Sequence, residues 1–412
     1  MEKSKKKNTN PEVRFKGFIE DWKHQELGQV LIERKEMQKI SDDAPILAFA
    51  SGQGVIDRSE RKSNNRDQLT LDQTNKVYKL TEFNDIVYNP SNLKYGAIDR
   101  NKYGRGVISP IYVTFTTVEV PSFMELIVKS IKFRLRALRF EEGTVVKRQS
   151  VKPENLISLK VNISSSHIEQ KRIGELFENF DYLISIHQEK YQKLVLFKKV
   201  MLEKMFPKNS TDLPEVRFKE FNGSWTKTKL SNISRKVIEK NSEFIINETF
   251  TNSARLGIIT QRDFFDHDKS KKENLNGYYI VQNEDFVYNP RISKLAPVGP
   301  ININKLARSG VMSPLYCVFR THDVDNAFLE QYFKSAYWHS YMKLNGDSGA
   351  RSDRISIKDS IFFEMPIPYP CPKEQKKIGK FLSNLDTLIE LEKNELDKFE
   401  CIKKACFQRM ID

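Results

Sequence analysis

One stretch of the chain occurs twice, and that recurrence limits what the whole can fold into. Residues 169–206 read EQKRIGELFENFDYLISIHQEKYQKLVLFKKVMLEKMF, and residues 374–411 read EQKKIGKFLSNLDTLIELEKNELDKFECIKKACFQRMI. In the first copy apolar residues fall three and four apart: Ile173, Leu176, Phe180, Leu183, then Tyr191, Leu194, Phe197, Met201 and Met205. A constant shift of 205 maps them onto Ile378, Phe381, Leu385, Leu388, then Leu396, Phe399, Ile402, Cys406 and Met410. This spacing predicts one apolar stripe on each of two long helices. Each would run to about 38 residues, or roughly 55 Å, with no proline or mid-helix glycine to break it. A stripe of that length needs cover, and the simplest cover is its own repeat. Each helix follows its own domain, so the two are expected to pack antiparallel. Both stripes are interrupted at the same repeat position, by His187 and Glu392. Such residues within a turn of each other, roughly 5 Å along the axis, would fix register at some cost in stability. The alternative is that both face solvent at the stripe's edge.

The repeat extends over the whole chain. Pro11 opens PEVRFKGFIEDW and Pro214 opens PEVRFKEFNGSW, each ending on a tryptophan, Trp22 or Trp225. FNDIVYNP from Phe83 answers EDFVYNP from Glu284, and GVISPIYVTF from Gly106 answers GVMSPLYCVF from Gly310. Their β-branched and aromatic runs predict strands. A short helix follows in each half, then a glycine-containing turn with arginine, then a last strand. The stretches between anchor and strands, residues 51–69 and 251–275, resemble each other little and are rich in Arg, Lys, Asn, Gln and Ser. The fold class is therefore α+β: two globular domains separated by two long helices forming an antiparallel coiled-coil-like pair, with an internal tandem repeat. The expected divisions are a disordered basic tail at 1–10, a domain at 11–165 and a central helix at 166–206. A linker at 207–213, a second domain at 214–370 and a C-terminal helix at 371–412 complete the chain.

A formal net charge of +14 over 412 residues favours a polyanionic partner. No run of about 18 apolar residues suggests a membrane span, and the charged start MEKSKKKNTN does not read as a secretory signal. The four cysteines, Cys317, Cys371, Cys401 and Cys406, form no CxxC and fit a reducing, cytoplasmic setting.

Signs of catalysis are missing. Tyr88-Asn89-Pro90-Ser91 and Tyr288-Asn289-Pro290-Arg291 approach the Asn-Pro-Pro-aromatic motif of amino-methyltransferases but lack its second proline and its aromatic. The sequence has no glycine-rich turn for S-adenosylmethionine and no GxxxxGK[ST] phosphate loop. His267 between Asp266 and Asp268 has no further ligands for a metal. Together these absences favour a binding subunit over an enzyme.

Laid side by side, the repeats resemble the specificity subunit of type I restriction-modification systems. The resemblance covers essentially the whole chain. It rests on PEVRFKGF with Trp22, on VYNP followed by GVISPIYVTF, and on Glu169-Gln170-Lys171 at the head of a long helix, each with its second copy. It departs only where Ser164-Ser165-Ser166-His167 replaces the prolines that precede Glu374. The resemblance implies two target-recognition domains, each reading one half of a split, non-palindromic sequence in double-stranded DNA. It also implies two methyltransferase subunits and two motor-nuclease restriction subunits as partners. S-adenosylmethionine, ATP and Mg²⁺ would belong to those partners, with no cofactor, metal or catalytic residue in this chain.

Candidate DNA contacts in the first domain are Arg58, Arg61, Lys62, Asn64, Asn65, Arg66, Asn89, Asn92, Lys94, Lys147, Arg148 and Gln149. In the second they are Arg255, Gln261, Arg262, Asn289, Arg291, Lys294, Arg351 and Arg354. Arg and Lys suit guanine edges and phosphates, and Asn and Gln suit adenine. The expected helix-pair interface comprises Ile173, Leu176, Phe180, Leu183, His187, Tyr191 and Leu194, facing Ile378, Phe381, Leu385, Leu388, Glu392, Leu396 and Phe399. Two other readings stay open: a self-contained nuclease or methyltransferase, and a helical adaptor that never reads DNA.

Overall fold

The structure is a computed structural model and describes residues 9–50, 52–61, 76–143, 149–208, 211–265, 272–347 and 353–412. Helices and strands are mixed throughout, and the chain forms two compact units. One comprises residues Met1–Gln188 with Glu395–Asp412, the other residues Glu189–Asn394.

In the first unit a four-stranded antiparallel sheet runs in the order Leu31–Glu33, Val113–Thr117, Ile86–Tyr88, Ile98–Arg100. Ile86, Val87 and Tyr88 are all fully buried, which is why this stretch reads as a continuous apolar run rather than an alternating one. A second sheet joins Met37–Lys39, Val77–Thr81 and Gly106–Ile108, and Leu47–Ala50 folds back on Gly54–Asp57 as a hairpin. The helix Pro121–Lys129 covers the sheet, with proline at its first position where no N–H is needed. The entry strand Lys23–Glu26 pairs with Lys160–Ile163, the strand that leads into the long helix.

The second unit has a like four-stranded sheet, hairpin and closing strand pair, but its second sheet has two strands, Tyr279–Val281 and Gly310–Met312. The four-stranded sheet runs Ser234–Lys236, Cys317–Thr321, Phe286–Tyr288, Ile301–Ile303. Its hairpin is Phe250–Ser253 with Gly257–Thr260, and its closing pair is Thr226–Lys229 with Pro366–Tyr369. Asp325 caps its helix Asn326–Lys334 by accepting from the N–H of Phe328.

The long helices are His167–Lys204 and Pro372–Met410. In the first unit Phe177 meets Phe407 with ring centroids 5.6 Å apart, Asp181 pairs with Lys403, and the His187 ring lies 5.2 Å from that of Phe399. In the second, Lys198 pairs with Asp386, and Lys190 with Glu392 at 2.6 Å. Within each unit the partner numbers fall as the first helix rises, so the helical segments there run in opposite directions. The shift of 205 turns Asp181 into Asp386 and Lys198 into Lys403, so the two ion pairs are one contact with the helices exchanged.

The expected stripe needs one correction. Leu388 is 48% exposed, whereas Phe177 and Leu382, left out of the stripe, are almost wholly buried. The reason is that the first turns of each helix dock into a domain core, where the apolar face is wider than a two-helix seam. Glu392 is buried and ion-paired rather than solvent-facing. The helices also carry glycines near their starts, Gly174 and Gly379, at places where the backbone of the covering helix comes close. A Cβ on Gly379 would stand 2.6 Å from the amide nitrogen of Phe328.

Candidate nucleic-acid interface

The shared motifs turn out to hold the frame. Arg14 sends Nε and Nη2 to the two carboxylate oxygens of Glu169, both at 2.8 Å, and Arg217 grips Glu374 in the same fork at 2.7 and 2.8 Å. Trp22 Nε1 donates to Glu169 as well, while Trp225 Nε1 is buried with no partner among the described residues. Burial works against the Glu169 charge, but hydrogen bonds from Arg14, Ser164 and Trp22 hold its carboxyl below the usual range. Gln170 accepts from the N–H of Val120 and donates to Ser164 O, and Gln375 accepts from Asp325 N–H and donates to Pro370 O. The Glu-Gln pair thus binds each long helix to its domain's anchor and covering helix.

The tyrosine of VYNP is equally structural. Tyr88 and Tyr288 lie in the cores, their hydroxyls donating to Val151 O and Val298 O. The GVISP and GVMSP glycines seat the foot of each hairpin. A Cβ on Gly106 would stand 2.5 Å from Leu47, and one on Gly310 would strike the Phe250 ring.

On this frame the second unit opens a cleft of about 270 Å³. Hairpin residues 251–254 form one part of its lining, residues 289–293 another, and Phe264, Phe265, Leu315, Tyr316 and Arg354 complete it with Pro300. Arg354 is placed by backbone bonds that sew its strand to the VYNP segment: Ile292 N–H to Asp353 O and Ile355 N–H to Pro290 O. The floor is a set of asparagines. Asn252, 2% exposed, donates to Val287 O at 2.7 Å and accepts from Asn302 Nδ2 at 2.6 Å. Asn289 donates to Asn252 O and accepts from the N–H of Arg291. The matching first-unit hairpin has Phe49 in an apolar cluster, stacked on Tyr112 at 5.8 Å.

The structure brings three of the named second-domain residues together in this cleft, Asn289, Arg291 and Arg354, with Arg255 exposed at the hairpin tip. Lys294 is exposed a few residues along from Arg291. Gln261 is buried against the hairpin, donating to Phe250 O, and Arg262 lines a separate depression with Glu248, Asp263 and Arg308. In the first unit Arg58 and Arg61 flank a short turn directly after the hairpin. Asn92 is exposed, Lys94 lies 3.8 Å from Glu141, and Gln149 donates to Gly143 O. Asn89 is buried and caps the turn Pro90–Tyr95. Lys62, Asn64, Asn65, Arg66, Lys147, Arg148 and Arg351 lie outside the described residues, as do the basic tail up to residue 8 and Asp266, His267 and Asp268.

Sequence reasoning missed Asn252, Phe264, Leu315 and Tyr316. The signal available was the polar TNSARLG against the apolar AFASGQG at matching places. Burial pushes the Cys317 thiol up to about 12, and no cluster fit for a metal occurs among the described residues.

Residues 197–400 match the family model described as the type I restriction modification DNA specificity domain. A putative type I restriction enzyme MjaX specificity subunit of Methanocaldococcus jannaschii is 27% identical over 295 residues, covering 65% of this chain and 61% of that one. The type I restriction enzyme MjaVIII specificity subunit of the same organism is 25% identical over 260 residues, 59% of each. The chain thus spans about three fifths of the length of the curated relatives it matches. Its fold matches the crystal structure of a type I restriction-modification system S subunit from M. genitalium, with TM-score 0.58, 14% identity and coverage of 98% and 99%.

Proposed function

We propose that this chain is one of the type I restriction-modification specificity subunits, which its match at residues 197–400 and its relatives support, and that it is the DNA-reading, non-catalytic member of such a complex. The two domains, residues 11–165 and 214–370, each read one half of a bipartite, non-palindromic duplex target. The long helices pair antiparallel and space the halves. Two methyltransferase subunits and two motor-nuclease subunits assemble on it and carry S-adenosylmethionine, ATP and Mg²⁺.

One observation carries this reading: a common frame presents two hairpins whose inner faces differ, Phe49 on one and Asn252 on the other. Two readers of one sequence would need no such difference. The surplus of cations supplies attraction to phosphate, and the cleft's arginines supply base or phosphate contacts. The test is selection of duplexes from a random library by the purified chain, followed by titration. The expected result is a two-part site bound far more tightly than random duplex, with no turnover of DNA in Mg²⁺ and S-adenosylmethionine. Equal affinity for random and selected duplex would leave the adaptor reading; turnover by the chain alone would leave the enzyme reading.

A further inference from the structure

The second unit's cleft keeps apolar side chains in water that its fold does not use. Phe264 is 42% exposed and Leu315 61%, and both line the cleft that holds Arg291 and Arg354. Phe265 stands edge-on to Phe264 with centroids 4.6 Å apart and fixes its orientation. Large exposed apolar groups beside cations are suited to a ligand that is anionic and carries an apolar group of its own. In the major groove duplex DNA has one such group, the C5 methyl of thymine.

The polar lining narrows the choice further. The Asn252 amide is committed to Val287 O, Pro300 O and Asn302, and the Asn289 amide to Asn252 O and Arg291 N–H. The Thr251 hydroxyl is engaged with the Tyr316 hydroxyl. These amides are therefore not available for the paired donor and acceptor that adenine presents. Arg354 makes no ion pair among the described residues, and its fork fits the two acceptors on the guanine edge.

Resting on the reading of this chain as a duplex-DNA binder, we propose that the second unit reads a guanine beside a thymine. Arg354 takes the guanine edge, and Phe264 and Leu315 enclose the thymine methyl.

The experiment uses the full chain and duplexes selected from a random library. Each thymine of the selected site is replaced in turn by deoxyuridine, which lacks only the methyl. One position next to a guanine, in one half of the site, is expected to lose affinity roughly fourfold, the worth of one buried methyl. The Phe264→Ala and Leu315→Ala variants, changed at exposed positions, are expected to keep the wild-type melting temperature and bind the thymine and deoxyuridine duplexes alike. Arg354→Ala is expected to relax selection at the neighbouring guanine. A selected site with no deoxyuridine-sensitive position overturns this proposal alone and leaves Phe264 the role of a wedge between base steps. Sensitivity that survives both alanine variants overturns it too. A chain that selects no sequence at all overturns it together with the function on which it rests.

Discussion

Asn252 shows how much one side chain can decide. Its buried amide ties the hairpin Phe250–Ser253 to the strand Phe286–Tyr288 and to Asn302 at the floor of the cleft. Asn252→Ala would remove the bonds to Val287 O and from Asn302, whose amide keeps Ser253 O, so a loss on the order of 1 kcal/mol is expected. Chemical denaturation would measure the loss, and faster amide exchange in the hairpin would place it. Glu169 is more demanding, since Arg14, Trp22 and Ser164 all converge on it. Glu169→Ala strands a part-buried guanidinium and is expected to cost about 3–5 kcal/mol. Glu125 makes the first unit sensitive to acid. Burial opposes its charge, but Lys129, Lys102 and Arg100 outweigh that and hold it near about 2, against an ordinary 4.5. A carboxyl depressed in the folded state contributes fully above the unfolded value and loses that contribution as pH falls from 4.5 towards about 2. Denaturation followed against pH is expected to show this fall in the wild type and a flatter profile in Glu125→Gln.

The long helices, the strands and their order were legible because each was written twice, and a shared register is hard to mistake for chance. What escaped notice depended on contacts between residues far apart in sequence. Gly174 and Gly379 look like weak points in a helix, where alanine is normally favoured by about 1 kcal/mol. The structure reverses that sign at Gly379, where a methyl would meet the backbone of Phe328. Gly379→Ala is expected to destabilise by about 1–3 kcal/mol, an overpacking loss, visible as a lower melting temperature. The candidate site was legible only in part. Arg291 and Arg354 could be named from their composition and placement, but Asn89, Asn289 and Gln261 carry the same chemistry and spend it on the fold. No pattern along the chain separates an amide that faces solvent from one that holds a hairpin; strand pairing does.

For the molecule as a whole, the proposed division of labour predicts that reading is modular. Exchanging residues 214–370 for the equivalent of another family member is expected to change one half of the selected DNA site and leave the other intact. Raising salt is expected to weaken both halves together, since the phosphate contribution is shared. The first unit's core has one more consequence, for the order in which the protein is born. Phe407 and Met410 lie in that core, and Val13 N–H donates to Arg409 O. A nascent chain usually completes its N-terminal domain first. Here the first unit draws on residues 395–412, made long after the rest of it, while the second is drawn from the continuous stretch 189–394. A stop codon at residue 395 would therefore damage a unit that begins near residue 1, by removing Phe407 and Met410 from its core.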